Sequence, residues 1–345
     1  MGVRNGHRVL VTGGAGFIGS NFVHHLLRER PGAHVVVLDA LTYAGRRENL
    51  DGVPEGSLTF VHGDIRDPGD VARAMEGCDW VLNFAAESHV DRSIEQPGEF
   101  IQTDVYGVFV LCEEARRRGV KRFVQISTDE VYGEVLEGHA DESWPLEPRS
   151  PYAASKAGGD RLAHAYWATY GLPVVVTRCS NNYGPRQYPE KLVPLFVTNA
   201  IDDLPLPVYG HGRNRRDWLH VEDHCAALLA LLEQPGIEGQ TFNIGGGEEL
   251  DVLAVTAEIL RLLGKPASLV RHVEDRPGHD RRYAVDASKL TRVTGWRPRV
   301  RFAEGLRDTV DWYVKHESWW RTIKSGEFRA YYERMYGQRR VVGGA

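Results

Sequence analysis

Between residues 7 and 180 the chain repeats one alternation: a short apolar run, then a longer stretch with helical spacing. The runs are HRVLVTG (7–13), HVVVLDA (34–40), LTFVHGD (58–64), DWVLNFAAE (79–87), KRFVQIS (121–127) and PVVVTRCS (173–180). Their apolar residues are continuous rather than alternating with polar ones, which is the pattern of strands buried on both faces. Between them, FIGSNFVHHLLRE (17–29), EFIQTDVYGVFVLCEEARRRG (99–119) and YAASKAGGDRLAHAYWATYG (152–171) place apolar residues at helical spacing. Short buried strands joined by helices of this length predict an α/β fold, a doubly wound parallel sheet with helices on both sides.

After about residue 185 the rhythm changes. Pro and Gly become frequent (YGPRQYPEKLVP, LPLPVYGHGRN, DRPGHDRR) and the helices shorten. QTFNIGGG (240–247) reads as a strand returning to the first sheet, so a smaller second domain is expected to be interleaved with the first. The division expected is 1–185 for the first domain, 186–330 for the second and 331–345 for a tail. The aromatic stretch WWRTIKSGEFRAYYERMYGQRR (319–340) is expected to pack on the body, with a frayed end. There is no internal repeat and no low-complexity tract.

Bulk properties exclude several function classes. A 345-residue chain with 42% hydrophobic and 26% charged residues is an ordinary globular composition. A net charge of −5 argues against a nucleic-acid partner held by a basic field. The longest apolar run, CAALLALL (225–232), is far short of a membrane span, and no charged-then-apolar leader precedes the first strand. Cys78, Cys112, Cys179 and Cys225 are scattered, without zinc-like spacing, and free thiols suit a reducing cytoplasm.

The turn after the first strand, VTGGAGFIGS (11–20), holds Gly13, Gly16 and Gly19, with Phe17 and Ile18 opening the helix. Glycines between a strand and a helix let the backbone approach a pyrophosphate at the amide-rich helix end. Asp39 ends the second strand, 26 residues after Gly13, where a carboxylate accepts hydrogen bonds from ribose hydroxyls and repels a 2′-phosphate. NAD is therefore favoured over NADP. Alone, a glycine triplet could be a tight turn; the strand before it, the helix after it and Asp39 argue for a Rossmann-type site. The GxxGxxG spacing resembles the extended short-chain dehydrogenase/reductase superfamily.

SPYAASKAGGD (150–160) carries Tyr152 and Lys156 four residues apart, on one helix face. A nearby ammonium favours the phenolate, so the pair can take a proton from a sugar hydroxyl while hydride leaves the same carbon. Thr128, at the end of the fifth strand, would bond the same hydroxyl.

Such a set oxidises an alcohol and does not need the two carboxylates that follow in STDEVYG (127–133), Asp129 and Glu130. Once a 4-keto sugar exists, its C5 hydrogen is acidic. One carboxylate could remove that proton while the other, as a neutral acid, protonates the departing C6 hydroxyl. Adjacent carboxylates titrate as a pair, and the residues alone leave open which holds the proton. The duller alternative is that the pair caps the next turn.

These stretches, with DALTYAG, GDIRD, AAESHVDRS, RCSNNYGP, PEKLVPL, RDWLHVEDH and DRPGHDRRYAVD, run in order across residues 9–286. The chain resembles the dTDP-glucose 4,6-dehydratase family, whose members make a 4-keto-6-deoxy sugar for rhamnose or specialised deoxysugar pathways. The resemblance implies Glu130 as base and Asp129 as acid. It places Leu41, Thr42, Ala44 and Gly45 along the adenosine, and Asp64 and Ile65 at the adenine. Ala85, Ala86, Ser88, Thr103 and Asn182 border the nicotinamide half with Tyr152 and Lys156. Ser88, Thr128 and Asn181 would touch the sugar, and Lys191, Leu192, Pro207, Val208, Tyr209 and Arg216 would enclose the nucleotide, with Tyr209 able to stack on the base. Arg276 and His279 would reach the diphosphate. It also implies a homodimer joined through the helices at 99–119 and 152–171.

One departure is visible. The loop after FNIGGG reads EELDVL, with Glu248, Glu249 and Asp251 where the family often has an asparagine facing the nucleotide; His220 stands where tyrosine is common. The rivals are a 4-epimerase or decarboxylase, disfavoured by Asp129–Glu130; a GDP-mannose or CDP-glucose dehydratase, the NADP-using former disfavoured by Asp39; and a silent NAD-binding sensor, disfavoured by the intact Tyr–Lys pair.

Overall fold

The computed structural model describes residues 6–337 and 339–342. Six strands follow the expected runs: β1 (Arg8–Thr12), β2 (His34–Asp39), β3 (Leu58–His62), β4 (Trp80–Asn83), β5 (Arg122–Thr128) and β6 (Val174–Cys179). Six more come later: β7 (Asn181–Tyr183), β8 (Leu206–Tyr209), β9 (Arg215–His220), β10 (Thr241–Ile244), β11 (Glu249–Asp251) and β12 (Val270–Val273).

The main sheet has seven strands in the order β10-β6-β5-β4-β1-β2-β3, all parallel. The order reverses direction between β1 and β4, the topological switch point at which α/β sheets bind ligands beyond the carboxyl ends of their strands. β10 supplies the far edge, pairing Thr241–Ile244 with Val176–Cys179. The expected fourth strand, 79–87, is shorter than its apolar run. It ends at Asn83, and Phe84–Ser88 leaves the sheet to line a cleft. A polar stitch marks that exit: Thr12 Oγ1 donates to Asn83 Oδ1 at 2.6 Å, and Asn83 Nδ2 donates to Gln125 Oε1 at 2.9 Å.

The helices that flank the catalytic strands start and stop for local reasons. Ser150 Oγ accepts from the Ala153 N–H at 3.1 Å, Pro151 takes the first position, and Gly171 ends the helix Pro151–Tyr170 at φ 71°. The helix expected at 99–119 runs as Pro97–Ile101 and Val108–Arg118, with a wider π-turn at Gln102–Gly107 between them. Such turns recur at functional sites, and this one holds the buried Asp104.

One face of the sheet packs Phe22, Val23 and Leu26 against Leu228, Leu231 and Phe242, so the helix Val221–Glu233 belongs to the first body although it lies past residue 185. The other face packs Leu10, Val81 and Phe123 against Leu111 and Ala163. A separate core gathers Phe196, Val208, Leu260, Leu306, Tyr313 and Trp320 beside the small sheets β11-β9-β7 and β12-β8. Truncating a buried Phe such as Phe22 in the first body or Phe196 in the second costs about 3–5 kcal/mol, so each body carries its own substantial core. The aromatic stretch packs on this second core through Trp319, Trp320 and Phe328; residue 338 within it and residues 343–345 at the end of the chain lie outside the described ones.

Candidate active site

The carboxyl ends of β1, β2, β4, β5 and β6 open into one cleft. Gly13, Gly16, Phe17, Ile18, Gly19, Asp39, Thr42, Ala44, Gly45, Asp64, Ile65, Ala85, Ala86, Ser88, Thr103, Asn182, Tyr152 and Lys156 all line it. Leu41 does not. Its backbone sits at φ 50° and its N–H donates to Asp39 Oδ1 at 2.8 Å, so it holds the carboxylate rather than forming a wall. Asp39 Oδ2 accepts from the Ala15 N–H at 2.9 Å, tying the acid to the glycine turn. Burial raises Asp39 above the ordinary carboxylate value against these two donors.

The turn fits a dinucleotide. A Cβ on Gly13 would lie 2.7 Å from the Ala85 nitrogen, and one on Gly19 would lie 2.3 Å from the Gly13 carbonyl oxygen. The chain is closed on itself so tightly that only glycine enters. The helix Phe17–Glu29 begins at Gly16 with no side-chain cap and no acidic residue in its first turn. Its free N–H groups and positive dipole end therefore remain for an anion.

At the catalytic end, β5 delivers Thr128, and a tight turn Asp129–Tyr132 follows at once. The capping role belongs to Thr128, whose Oγ1 accepts from the Glu130 N–H at 3.3 Å, and not to the two carboxylates. Asp129 is 3% exposed; its Oδ1 accepts from Thr128 Oγ1 at 3.1 Å and its Oδ2 has no partner among the described residues. Burial, with the charges of Glu130 and Asp217 nearby, pushes its carboxyl well above the usual range. The surroundings of Asp129 therefore favour its protonated form. Glu130 reaches outward, lining both this cleft and a second cavity, with Oε2 3.5 Å from the Tyr283 hydroxyl.

Tyr152 and Thr128 come together as lining of the same cleft. Lys156 differs from expectation in its partner: Nζ donates to the Ile126 carbonyl at 2.8 Å. Tyr152 is raised well above an ordinary phenol by burial first and by the Glu130 charge second, so without bound ligands it is a neutral phenol. The helix π-turn braces the pair from behind. Asp104 Oδ2 accepts from Ser155 Oγ at 2.7 Å and Oδ1 accepts from the Glu87 N–H at 2.9 Å, joining the catalytic helix to the cleft wall. Burial pushes Asp104 up to about 6, against the pull of the Lys156 charge.

The second cavity adjoins the first, with Glu130, Asn181, Glu190 and Lys191 shared. Leu192, Pro207, Tyr209, Arg216, Arg276 and His279 line it as expected. Val208 does not. Strand alternation turns Pro207 and Tyr209 to the cavity and Val208 into the core, where it is 0% exposed. Ser88 stays on the cofactor side, its carbonyl accepting from Lys191 Nζ. Asn181 Oδ1 is buried without a partner among the described residues, whereas Asn182 is spent on Ser180 and His224.

Arg216 lies 4.3 Å over the Tyr283 ring and donates only to the backbone carbonyls of Arg215 and Asp280. Arg276 Nη1 is 3.7 Å from Asp91 Oδ1, and its Nε is unpartnered among the described residues. Burial and the charges of Arg276 and Arg216 push His279 down to about 4, although Asp275 Oδ1 lies 2.6 Å from its Nδ1. It is therefore a neutral ring at pH 7. Tyr209 does not offer a bare ring for stacking: its hydroxyl donates to Asp91 Oδ2 at 3.0 Å, Arg339 lies 4.5 Å over its centroid, and Tyr336 stacks on it.

The acidic loop does not replace the asparagine. Glu248 Oε1 accepts from the Phe302 N–H, Glu249 pairs with Arg282, and Asp251 caps the helix Val252–Leu263. Sequence reasoning passed over Asp91, Glu190 and Tyr283, although each sits in a motif already quoted (AAESHVDRS, PEKLVPL, DRPGHDRRYAVD). Tyr336 and Asp104 carried no local signal, since neither lies in a recognisable spacing.

Known proteins agree with this geometry. Residues 10–309 match a family model described as GDP-mannose 4,6 dehydratase. A dTDP-glucose 4,6-dehydratase of Streptomyces niveus is 52% identical over 323 residues, covering 92% of this chain and 96% of the relative. The solved dTDP-glucose 4,6-dehydratase of Streptomyces venezuelae, with NAD and dTDP bound, superposes with a TM-score of 0.90 at 53% identity, covering 92% of this chain and all of that one. The enzyme of Bacillus anthracis strain Ames, in complex with NAD, gives 0.86 at 45%, with the same coverage of 92% and 100%. With the glycine turn, the Thr–Tyr–Lys set and the Asp129–Glu130 pair in one cleft, the chain belongs to the NAD-dependent dTDP-glucose 4,6-dehydratase family of the extended short-chain dehydrogenase/reductase superfamily.

Proposed function

We propose that this chain converts dTDP-glucose to dTDP-4-keto-6-deoxyglucose, and that its residues divide the work as follows. Gly13, Gly16 and Gly19 hold the pyrophosphate of NAD at the uncapped helix end, and Asp39 holds the adenosine ribose. Bound NAD supplies the acceptor for the C4 hydride and its return to C6. Thr128 and Tyr152 hold the C4 hydroxyl and relay its proton, with Lys156 keeping positive charge at the back of the site. Glu130, aimed into the space between the two cavities, removes the C5 proton. Asp129 gives its proton to the C6 hydroxyl, which leaves as water. Lys191, Arg216 and Arg276 neutralise the diphosphate, and guanidinium groups suit that task.

The observation that carries this reading is the placement of the pair: Asp129 is buried with its Oδ2 unpartnered among the described residues, and Glu130 beside it lines both cavities. A hydride-only epimerase has no need of a buried neutral acid beside an outward carboxylate, whereas an elimination needs one of each. The test is incubation of purified protein with dTDP-glucose and no reductant. The expected outcome is the 4-keto-6-deoxy sugar without net NADH; a 4-epimer alone, or no turnover across dTDP-, UDP- and CDP-glucose, overturns it.

We also propose a homodimer. Tyr106, Phe109, Trp167 and Tyr170 are all more than a third exposed, and all lie on the two helices expected to pair. Clustered exposed aromatics of this kind favour an interface. Light scattering giving a monomer mass rejects it. A cytoplasmic location is supported by four free, buried cysteines. Among the described residues no helix is long and apolar enough to cross a membrane. The division into a cofactor unit at 1–185 with 240–247, a nucleotide-sugar unit within 186–330 and a tail at 331–345 is supported by the separate core around Tyr313 and Trp320, with the helix Val221–Glu233 going to the cofactor unit.

A further inference from the structure

Arg178 is a buried charge that the reaction described above does not use. It is 2% exposed on β6, and Asp160, 0% exposed, faces it from the helix Pro151–Tyr170. Its guanidinium is held on two sides. Nε donates to Asp160 Oδ2 at 2.8 Å and Nη2 to Asp160 Oδ1 at 3.2 Å, while Nη1 donates to the Tyr132 hydroxyl at 2.8 Å. A buried charge is costly unless its donors are met, and the rigid fork of an arginine meets them in fixed directions.

Tyr132 uses its hydroxyl in both senses. It accepts from Arg178 and donates to Asn243 Oδ1 at 2.7 Å. Burial pushes the phenol up to about 12, so at pH 7 it keeps the proton that this second bond needs. Asn243 stands opposite Arg178 in the β10–β6 register, and both side chains therefore leave the same face of the sheet. Its Nδ2 donates in turn to the Ala140 carbonyl at 2.9 Å, pinning the chain that follows the turn Asp129–Tyr132.

The cluster joins two parts of the site that no local pattern connects. Tyr132 closes the turn that carries Asp129 and Glu130. Asp160 lies four residues beyond Lys156, which itself lies four beyond Tyr152, so the three form a row along one helix face. Lys156 fastens that face to β5 through the Ile126 carbonyl, and Asp160 fastens it to β6 through Arg178. The turn and the helix are thus referred to a single guanidinium.

We propose that Tyr132 is a positioning residue: tethered to Arg178, it fixes the turn of Asp129 and Glu130 against the helix that carries Tyr152 and Lys156. Tyr132 lines neither cavity, and it acts through Glu130, whose reach to C5 it sets relative to the groups that oxidise C4. This rests on reading Glu130 as the C5 base.

The test follows the near-ultraviolet absorption of bound NADH while the NAD-loaded enzyme turns over dTDP-glucose. Tyr132→Phe keeps the ring and removes the tether. It is expected to lower kcat about 10-fold, short of the 10²-fold that a misplacement of about 1 Å can cost, with KM for dTDP-glucose changed little. C4 oxidation still runs while elimination lags, so bound NADH should build up beyond the parent's level. A parent-like kcat overturns the proposal. So does a fall in kcat without that build-up, which would place the loss in the oxidation or in folding alone. Where Tyr132→Phe leaves too little folded enzyme to assay, Arg178→Lys reads the same link: it keeps a charge beside Asp160, but an ammonium lacks the fork that also holds Tyr132. The same build-up is expected there, and its absence overturns the proposal. If the parent gives the 4-keto-6-deoxy sugar and Tyr132→Phe matches it, the tether falls and the function stands; a parent without that product removes both.

Discussion

The two cavities are built on different principles. The cofactor cleft is shaped by backbone at the ends of neighbouring parallel strands, where glycines admit no Cβ and an uncapped helix end supplies the charge. The nucleotide cavity is shaped by side chains from stretches far apart in sequence, among them Asp91, Lys191, Tyr209, Arg216, Arg276 and Tyr336. A site made of backbone fails abruptly when a single atom is added. A site made of many side chains loses affinity in steps as members are removed. The catalytic turn Thr128–Glu130 lies where the two meet, and it depends on both.

The largest expected effect falls at that junction. Glu130→Gln should lower turnover by about 10³-fold, in the range of a lost general base, while still allowing C4 oxidation. Deuterium from solvent should no longer wash into C5; undiminished wash-in removes Glu130 from that role. Next is the backbone-built cleft. Gly19→Ala sets a Cβ 2.3 Å from the Gly13 carbonyl, so NAD content should collapse and stability fall by about 3 kcal/mol. A variant that retains NAD with an unchanged melting temperature would erase the contrast between the cavities.

A third expectation concerns the brace behind the cleft. Asp104, 2% exposed, is raised from 3.8 to about 6. A raised carboxyl favours the folded state fully below pH 4 and loses that contribution as pH climbs through 6, because the unfolded chain ionises more readily. Asp104→Asn removes the charge; its one oxygen can still accept from the Glu87 N–H, and its Nδ2 can donate to Ser155 Oγ while that hydroxyl donates to the Tyr152 carbonyl. It should be more stable than the parent by about 2 kcal/mol at pH 7.5, with the gap closing near pH 4. Denaturant unfolding at both pH values measures this, and a gap independent of pH refutes it. The smallest effect belongs to the side-chain-built cavity. Arg216→Ala should raise KM for dTDP-glucose about 10-fold, the weight of one charge-assisted contact, with bound NAD unchanged. A loss of NAD instead would show that the cavities are not separable.

The same contrast explains what could be read from the residues. Every strand of the first sheet, the glycine turn, Asp39 and the Tyr152–Lys156 spacing are local patterns, and local patterns survive without coordinates. The environment that raises Asp129 is not local: it needs the burial of β5 and the nearness of Asp217, which arrives from β9. The burial of the Val208 side chain was not legible because its motif names a strand without saying which face of it lines the cavity. The part Leu41 plays, an N–H on Asp39 from a backbone at φ 50°, is equally hidden from a linear motif. Tyr336 was invisible because only tertiary packing decides where an aromatic tail lands.

The far edge of the main sheet, β10, reaches its place only after the chain has left to build much of the second body. On the ribosome, the outer edge of β6 therefore waits uncovered, a parallel strand opening on three valines with its ladder groups unpaired, until residues 241–244 emerge. Such an edge recruits any strand that comes near. A fragment ending before residue 240 would hold the glycine turn and every catalytic residue, yet it would be a seed for aggregation rather than a minimal NAD-binding protein.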